Sequence, residues 1–429
     1  MVRRAFVCVA LLLAALATGT RAQTPPSPDA NEVQVWLLTL SPGDQPHEVF
    51  GHNALIVIRN GRGELYNWGT FSFGSSTADF LKFAGNFVQG RLIYWLSVED
   101  APTRQFWSAV RAIYEGELGR QVTLQQLDLD LPQTARLLEA LDRNALPENV
   151  KYRYDYYRDN CSTRVRDMID IATGGALKAA TDSPAAEGHT FRWHTRRMAQ
   201  RSPWLFVALD FVMGHPIDRP LTRWDECFLP DQLSLAVSAL ELKSADGTSR
   251  PLVTRQSVWD ANEQREKVPT APPVAWPWFL AIGVSLGALF AAGRVSGLRW
   301  LGWVAGLVAA VVCLVGGLGA AINLYGWAFT DHAVAAWDEN VLQLSPLLIP
   351  LIALAPLAMF RRRSGRLTFL LAVGGLALSV LGLLLKPLPG AVQPNWNFIA
   401  SSLPIHAGLV VMLWHRPRVT ESAPELAPA

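Results

Sequence analysis

Residues 270–292, TAPPVAWPWFLAIGVSLGALFAA, divide the chain. Pro272, Pro273 and Pro277 punctuate it, and no charged residue follows until Arg294. Upstream, charges are spread evenly, as in a globular domain. Downstream come five apolar runs, near Trp276–Ala292, Trp300–Ile322, Val341–Phe360, Leu367–Leu385 and Phe398–Trp414. Each has roughly the ~17–25 residues that cross a ~30 Å hydrocarbon core as a helix. The expected organisation is an exported domain over 23–270, a five-helix transmembrane domain over 276–415 and a tail over 416–429. This division accounts for the composition. The 429 residues are only 17% charged, against roughly 25% in an ordinary soluble chain, and mean hydropathy is +0.17. Lys+Arg number 38 against 36 Asp+Glu, a net +2, which excludes a disordered or nucleic-acid-wrapping chain.

Residues 1–22 read as a secretory signal peptide. Arg3 and Arg4 precede a short apolar stretch, Phe6–Leu16, and Thr20-Arg21-Ala22 is a plausible cleavage site. Charges between the spans agree with export. With the large domain outside, the inner ends carry Arg294 and Arg299, then Arg361, Arg362, Arg363 and Arg366, then Arg416 and Arg418. Arginine-rich inner loops are the positive-inside pattern. The expected topology is an exported first domain and a C-terminus on the cytoplasmic side. The two outer loops resemble each other: Ala333-Val334 precedes Asn340 and Pro346, and Ala391-Val392 precedes Asn397 and Pro404. A duplicated hairpin would place His332, Asn340, Asn395 and Asn397 at the outer leaflet, facing substrate or lipid. The alternative is two similar turns with capping asparagines.

The exported part alternates strands and helices. Val33–Leu40 and Ala54–Ile58 are apolar and β-branched, Asn60-Gly61 is a two-residue hairpin turn, and Glu64–Phe71 returns. Thr77–Val88, Thr103–Tyr114 and Gln133–Leu146 have helical patterns; Leu92–Val98, Gln121–Leu129 and Val150–Tyr157 read as strands. The expected class is α+β with an antiparallel sheet.

Cys161 follows Asp159-Asn160, two N-cap residue types, and Val165, Met168, Ile169 and Ala172 recur behind it at helical spacing. The thiol therefore opens a helix, where the backbone dipole favours a thiolate, the nucleophilic form. His52 is the best-placed base. Pairing across Asn60-Gly61 sets Ala54 opposite Asn67, which makes Asn67 a diagonal, same-face neighbour able to orient the imidazole. His47, Asn160 and Asp155 are secondary candidates, and His189, His194 and His215 remain open as bases. Two other readings stand beside this one: a disulfide between Cys161 and Cys227, or an inert buried thiol. Cys227, in Trp224-Asp225-Glu226-Cys227, lacks a comparable helix start. His47-Glu48…His52 is one residue too long for a zinc HExxH motif. Gly283-Val284-Ser285-Leu286-Gly287 matches G-x-S-x-G but lies inside a span, where small residues serve helix packing. No metal and no cofactor are expected.

Three further stretches, Gly51-His52-Asn53-Ala54-Leu55, Tyr66-Asn67-Trp68-Gly69-Thr70-Phe71 and Tyr154-Asp155-Tyr156-Tyr157-Arg158-Asp159-Asn160-Cys161, resemble the Lnb-type N-terminal periplasmic domain family of bacterial lipoprotein N-acyltransferases. Gly214–Leu233 and Gln393-Pro394-Asn395-Trp396-Asn397 fit as well. The order His before Cys, with Asn-Cys at a helix start, also resembles permuted papain-like proteins of the NlpC and lecithin:retinol acyltransferase kind. The resemblance implies a Cys–His thiol acyltransferase with Cys161 as nucleophile and His52 as base. It implies a phospholipid acyl donor, bacterial lipoproteins as acceptors and a membrane setting; nucleic acid is not an expected partner. Two other classes stay open: an envelope cysteine peptidase or amidase acting on peptidoglycan peptides, and a non-catalytic scaffold with a Cys161–Cys227 bridge.

Overall fold

The computed structural model describes residues 33–415 except 118, 244–246, 261–267 and 391–392. The signal peptide and the tail expected from the sequence, and the pair Ala391-Val392, lie outside the described residues. Two compact units emerge, and they do not follow chain order. One comprises Met1–Phe83, Arg91–His189 and Pro220–Pro269; the other comprises Ala84–Gly90, Thr190–Arg219 and Thr270–Ala429.

The first unit is built on an antiparallel sheet. Its strands are β1 (Gln34–Leu40), β2 (His52–Arg59), β3 (Arg62–Thr70), β4 (Ile93–Pro102), β5 (Val122–Leu127), β6 (Lys151–Arg153) and a last strand, Val253–Trp259, in the order β6-β4-β3-β2-β1-β5 and then Val253–Trp259. Arg59 pairs with Arg62 and Leu55 with Tyr66, the register of a two-residue turn at Asn60-Gly61. β1 and β2 are buried on both faces. Alternation sends Leu55 and Val57 into a core with Leu137, Leu141, Val165 and Ile169, and Ala54, Ile56 and Ile58 into another with Phe106 and Val110. Helices α1 (Thr77–Gln89), α2 (Thr103–Arg111), α3 (Leu131–Asn144) and α4 (Cys161–Ala172) follow the order expected. Two spans differ. The helix expected to run to Tyr114 ends at Arg111 and continues as a wider turn, Ala112–Glu117. The strand expected over Val150–Tyr157 is only Lys151–Arg153. After it, Asp155 and Asp159 bond backbone to backbone, and Asp155 Oδ1 accepts from the Tyr157 and Arg158 amides, each at 2.9 Å. Local side-chain bonding of this kind competes with a strand ladder.

The second unit holds α5 (Phe191–Ala199), α6 (Pro203–Val212) and the apolar helices α7 (Trp276–Val295), α8 (Arg299–Phe329), α9 (Asn340–Gln343), α10 (Leu351–Phe360), α11 (Arg366–Leu384) and α12 (Trp396–Met412). Three of these, α7, α8 and α11, are long and apolar enough to cross a membrane. The run at Val341–Phe360, expected to be one helix, is broken instead: Asn340–Leu348 and Leu351–Phe360 meet at 60°. Pro346 and Pro350 lack backbone donors around the break, and Ser345 caps the short turn Pro346–Leu348 that precedes it. Counted as one span, the broken pair makes four. α12 has 17 residues, as many as the run expected at Phe398–Trp414 but starting two residues earlier, with Pro404 inside; it is not among the helices long enough to cross a membrane. α7 packs on α12 through the small residues of the G-x-S-x-G stretch; a Cβ at Gly287 would collide with the Pro404 carbonyl.

Buried polar residues organise one end of this unit. Arg192, 1% exposed, bonds Asp218 (2.7 Å) and Asp210 (3.1 Å), and Arg196 bonds Asp210 (2.8 Å) and the Pro394 carbonyl (2.8 Å). Asn397 donates to Asp210 and Asn395 to Asn340, whose amide in turn reaches the Phe211 carbonyl. The three asparagines expected to face substrate or lipid are therefore buried among protein partners. A buried charge needs pairing of this kind, because its desolvation is otherwise uncompensated.

Candidate active site

α4 starts where the sequence places it. Asn160 is its N-cap: Oδ1 accepts from the Ser162 and Thr163 amides, both at 2.9 Å, while Nδ2 donates to the carbonyls of Tyr156 (2.9 Å) and Phe228 (3.1 Å). With every polar atom of its side chain engaged, Asn160 is a cap and an anchor. Val165, Met168, Ile169 and Ala172 are all buried. A large apolar side chain buried in this way contributes roughly 1.5–3 kcal/mol. That face fixes the rotation of α4 and hence the direction of Cys161.

Cys161 is partly exposed, and His52 is close enough for its charge and hydrogen-bonding capacity to act on the thiol. His52 heads β2, and its Nε2 lies 2.7 Å from Asn67 Oδ1. A carbonyl-type oxygen only accepts, so Nε2 carries the proton and Nδ1 is the nitrogen left for the thiol. Burial alone would raise the Cys161 pKa. The charge of His52, its hydrogen bond and the backbone amides of Asn53 and Ser162 outweigh burial and bring the thiol below its ordinary value. For His52, burial pulls downward, but the Cys161 charge and the hydrogen bonds to Cys161 and Asn67 prevail over it and over the Arg120 cation, so the imidazole is raised. Both shifts favour a thiolate–imidazolium pair. Cys161, His52 and Asn67 are all partly exposed, so a substrate can reach them.

Two residues overlooked in the sequence hold this pair together. Asn53, fully buried, donates to Thr39 Oγ1 (2.8 Å), and its Oδ1 lies 2.8 Å from the Ser162 hydroxyl. The neighbours of His52 and Cys161 are thus tied to each other. A polar pair inside apolar surroundings was the available signal: Asn53 interrupts an otherwise apolar strand.

Around the thiol, β3 bends at a register shift between Asn67 and Thr70, where Gly69 has φ +88°. An L-residue there would be strained. Tyr152 is buried near Gly69, and its hydroxyl proton has no acceptor among the described residues. Burial, followed by the charge of Cys161, raises its pKa and keeps it a donor.

The other candidates lie elsewhere. His47 is exposed and packs edge-on against Phe71. Asp155 closes the loop before Asn160, as described above. His189 Nδ1 lies 2.6 Å from Glu226 Oε1. His194 and His215 belong to the second unit. His332 also belongs there, with Nε2 2.8 Å from the Phe87 carbonyl. Cys161 and Cys227 are both free thiols. Cys227 is fully buried, and burial pushes it up to about 12, which leaves it inert as a nucleophile.

No curated protein and no solved structure matches the chain. Residues 25–198 match the family model described as the Lnb N-terminal periplasmic domain, so this stretch is a member of that domain family and the chain is a membrane protein with a periplasmic domain.

Proposed function

We propose that the protein is a thiol acyltransferase of the bacterial inner membrane. It moves an acyl chain from a phospholipid, through a Cys161 thioester, to the N-terminal amine of a diacylglyceryl-cysteine lipoprotein. The observation that carries this reading is the Cys161–His52–Asn67 set, with His52 hydrogen-bonded to Asn67 and the thiol pKa lowered by His52, in a chain that also has helices long and apolar enough to cross a membrane. Membership of residues 25–198 in the Lnb domain family supports a lipoprotein-modifying membrane enzyme. His before Cys, with the thiol on a helix and an antiparallel sheet beside it, resembles permuted papain-like acyltransferases. The arginines at the inner span ends favour a cytoplasmic C-terminus.

In the first half-reaction, the thiolate attacks the ester carbonyl. The S–C bond forms, the C–O bond breaks, and the imidazolium of His52 delivers its proton to the departing lysophospholipid oxygen. In the second, the lipoprotein amine attacks the thioester carbonyl, neutral His52 accepts the amine proton, and the C–S bond breaks to restore the thiolate. The Asn160 side chain accepts from the Ser162 and Thr163 amides, and the thiolate already shares that of Ser162. The oxygen of each tetrahedral intermediate therefore draws on other donors, and the Tyr152 hydroxyl is available.

The test is mass spectrometry of lipoprotein N-termini in cells that depend on this protein for N-acylation. The native chain should yield N-acylated termini and Cys161→Ala only free amines. Equal N-acylation with both chains sinks the proposal.

A further inference from the structure

α1 carries its apolar residues on one side. Phe80, Leu81, Phe83, Ala84, Phe87 and Val88 recur at i, i+1, i+3, i+4, i+7 and i+8, while Asp79, Lys82, Asn86 and Gln89 take the other side. Helices with this pattern ordinarily bury the apolar face in their own protein. In α1 no residue is buried: Leu81 is 64% exposed, Phe80 53% and Val88 50%.

Its last turn is held by polar contacts. The Gln89 carbonyl accepts from the Asp331 amide at 2.9 Å, the Phe87 carbonyl from His332 Nε2 at 2.8 Å, and Gln89 Nε2 donates to Tyr325 Oη. Tyr325, Asp331 and His332 lie at the end of α8, the longest apolar helix. That end also displays Phe329 and Trp337, both largely exposed, with Tyr325 stacked on Phe329 and Trp327 against Trp337. Clustered aromatics at a span end mark the level of the membrane–water interface. The turn that follows Phe87 is therefore clamped at that level.

Within the first unit, a row of rings starts at Phe83. Phe83 packs on Phe73 (4.8 Å between centroids) and Phe71 (5.9 Å), Phe71 stacks on Tyr94 (5.0 Å), and Tyr94 meets Tyr154 (4.3 Å). Tyr154 and Cys161 both border Gly69. All five rings are partly exposed, so the row offers an open apolar wall rather than a filled core.

We propose that α1 is an interfacial helix seated in the outer leaflet of the host bilayer, and that the ring row from Phe83 to Tyr154 receives one acyl chain of a phospholipid on its way to the thiol. The seat follows from the exposed apolar face and its clamp to a span end. A helix with such a face gains from burying it at the headgroup–acyl boundary. The acyl route rests on the acyl-transfer reading above, and the test separates the two.

The full chain is placed in nanodiscs of phosphatidylethanolamine and phosphatidylglycerol, with p-benzoylphenylalanine introduced as Leu81→p-benzoylphenylalanine. Irradiation should give a phospholipid adduct on the α1 peptide, as the same substitution at Val311, an exposed residue of α8, should on its own peptide. An adduct at Val311 with none, or only a protein adduct, at position 81 overturns the seat. The double variant Phe80→Asp/Leu81→Asp should lose turnover of bilayer phospholipid and keep turnover of monomeric dihexanoylphosphatidylcholine. Equal loss on both, or on neither, overturns the route. Wild-type chain inactive on both lipids defeats the acyl-transfer reading and the route together, while the adduct still decides the seat.

Discussion

The Ser162 hydroxyl lies 2.8 Å from the Asn53 side-chain oxygen, both wholly buried, and so joins the residue after the thiol to the residue after the imidazole. Ser162→Ala leaves that oxygen without its donor, at a cost of about 1–3 kcal/mol. The variant should unfold at lower temperature and form acyl-enzyme more slowly. Thermal unfolding in detergent, paired with single-turnover acylation, checks both; unchanged values in both would show the contact to be incidental.

The thiolate–imidazolium pair sets the pH dependence. Cys161 lies below the ordinary thiol value and His52 above the ordinary imidazole value. Both shifts increase the share of the thiolate–imidazolium pair, which is lost on the acid side as the thiolate protonates and on the alkaline side as the imidazolium gives up its proton. Iodoacetamide should therefore label Cys161 at pH well below ~8.5, where ordinary thiols react slowly. Cys227, pushed up to about 12, should be labelled only after unfolding. Peptide mapping after labelling across pH reads out both sites.

Removing the base should be costlier than removing its orienting partner. His52→Ala should slow the chemical step by about 10²–10⁴-fold. Asn67→Ala should slow it less, since a base remains but its ring turns freely. Pre-steady-state acylation measures each, and a larger loss from Asn67→Ala would reverse the roles assigned here.

Tyr152→Phe keeps the ring and removes only the hydroxyl. If that hydroxyl meets the developing oxyanion, kcat should fall by up to about 10²–10³-fold, the range for one such donor. KM should stay near wild type, because the interaction strengthens only in the transition state. A rise in KM with kcat intact would point to substrate binding instead.

Local features were the ones written into the sequence. Asn60-Gly61 sets a turn type, the turn sets the β2–β3 register, and the register brings Asn67 to His52. The apolar spacing behind Cys161 likewise sets the rotation of α4. Contacts between distant positions were not legible: Ser162 and Asn53 stand 109 residues apart, and neither carries a local signal for the other. The broken helix at Pro346 and Pro350 shows another limit. Hydropathy averaged over a window registers apolarity and passes over the missing backbone donors. Asn340, Asn395 and Asn397 were misplaced for a related reason: polar residues between spans look solvent-facing until a buried partner such as Asp210 is known.

The polar cluster around Arg192 has a consequence for biosynthesis. Arg192, Asp210 and Asp218 leave the ribosome before any span is made, whereas Asn397, which bonds Asp210, begins the final helix. Pro394, whose carbonyl holds Arg196, comes equally late. The cluster can close only after Pro394 and Asn397 are made, so Thr190–Arg219 must wait, part-satisfied, for those later partners. A polypeptide truncated anywhere before Pro394 would keep this segment's charges and lack their last partners. An early segment of this protein is thus completed by residues made long after it.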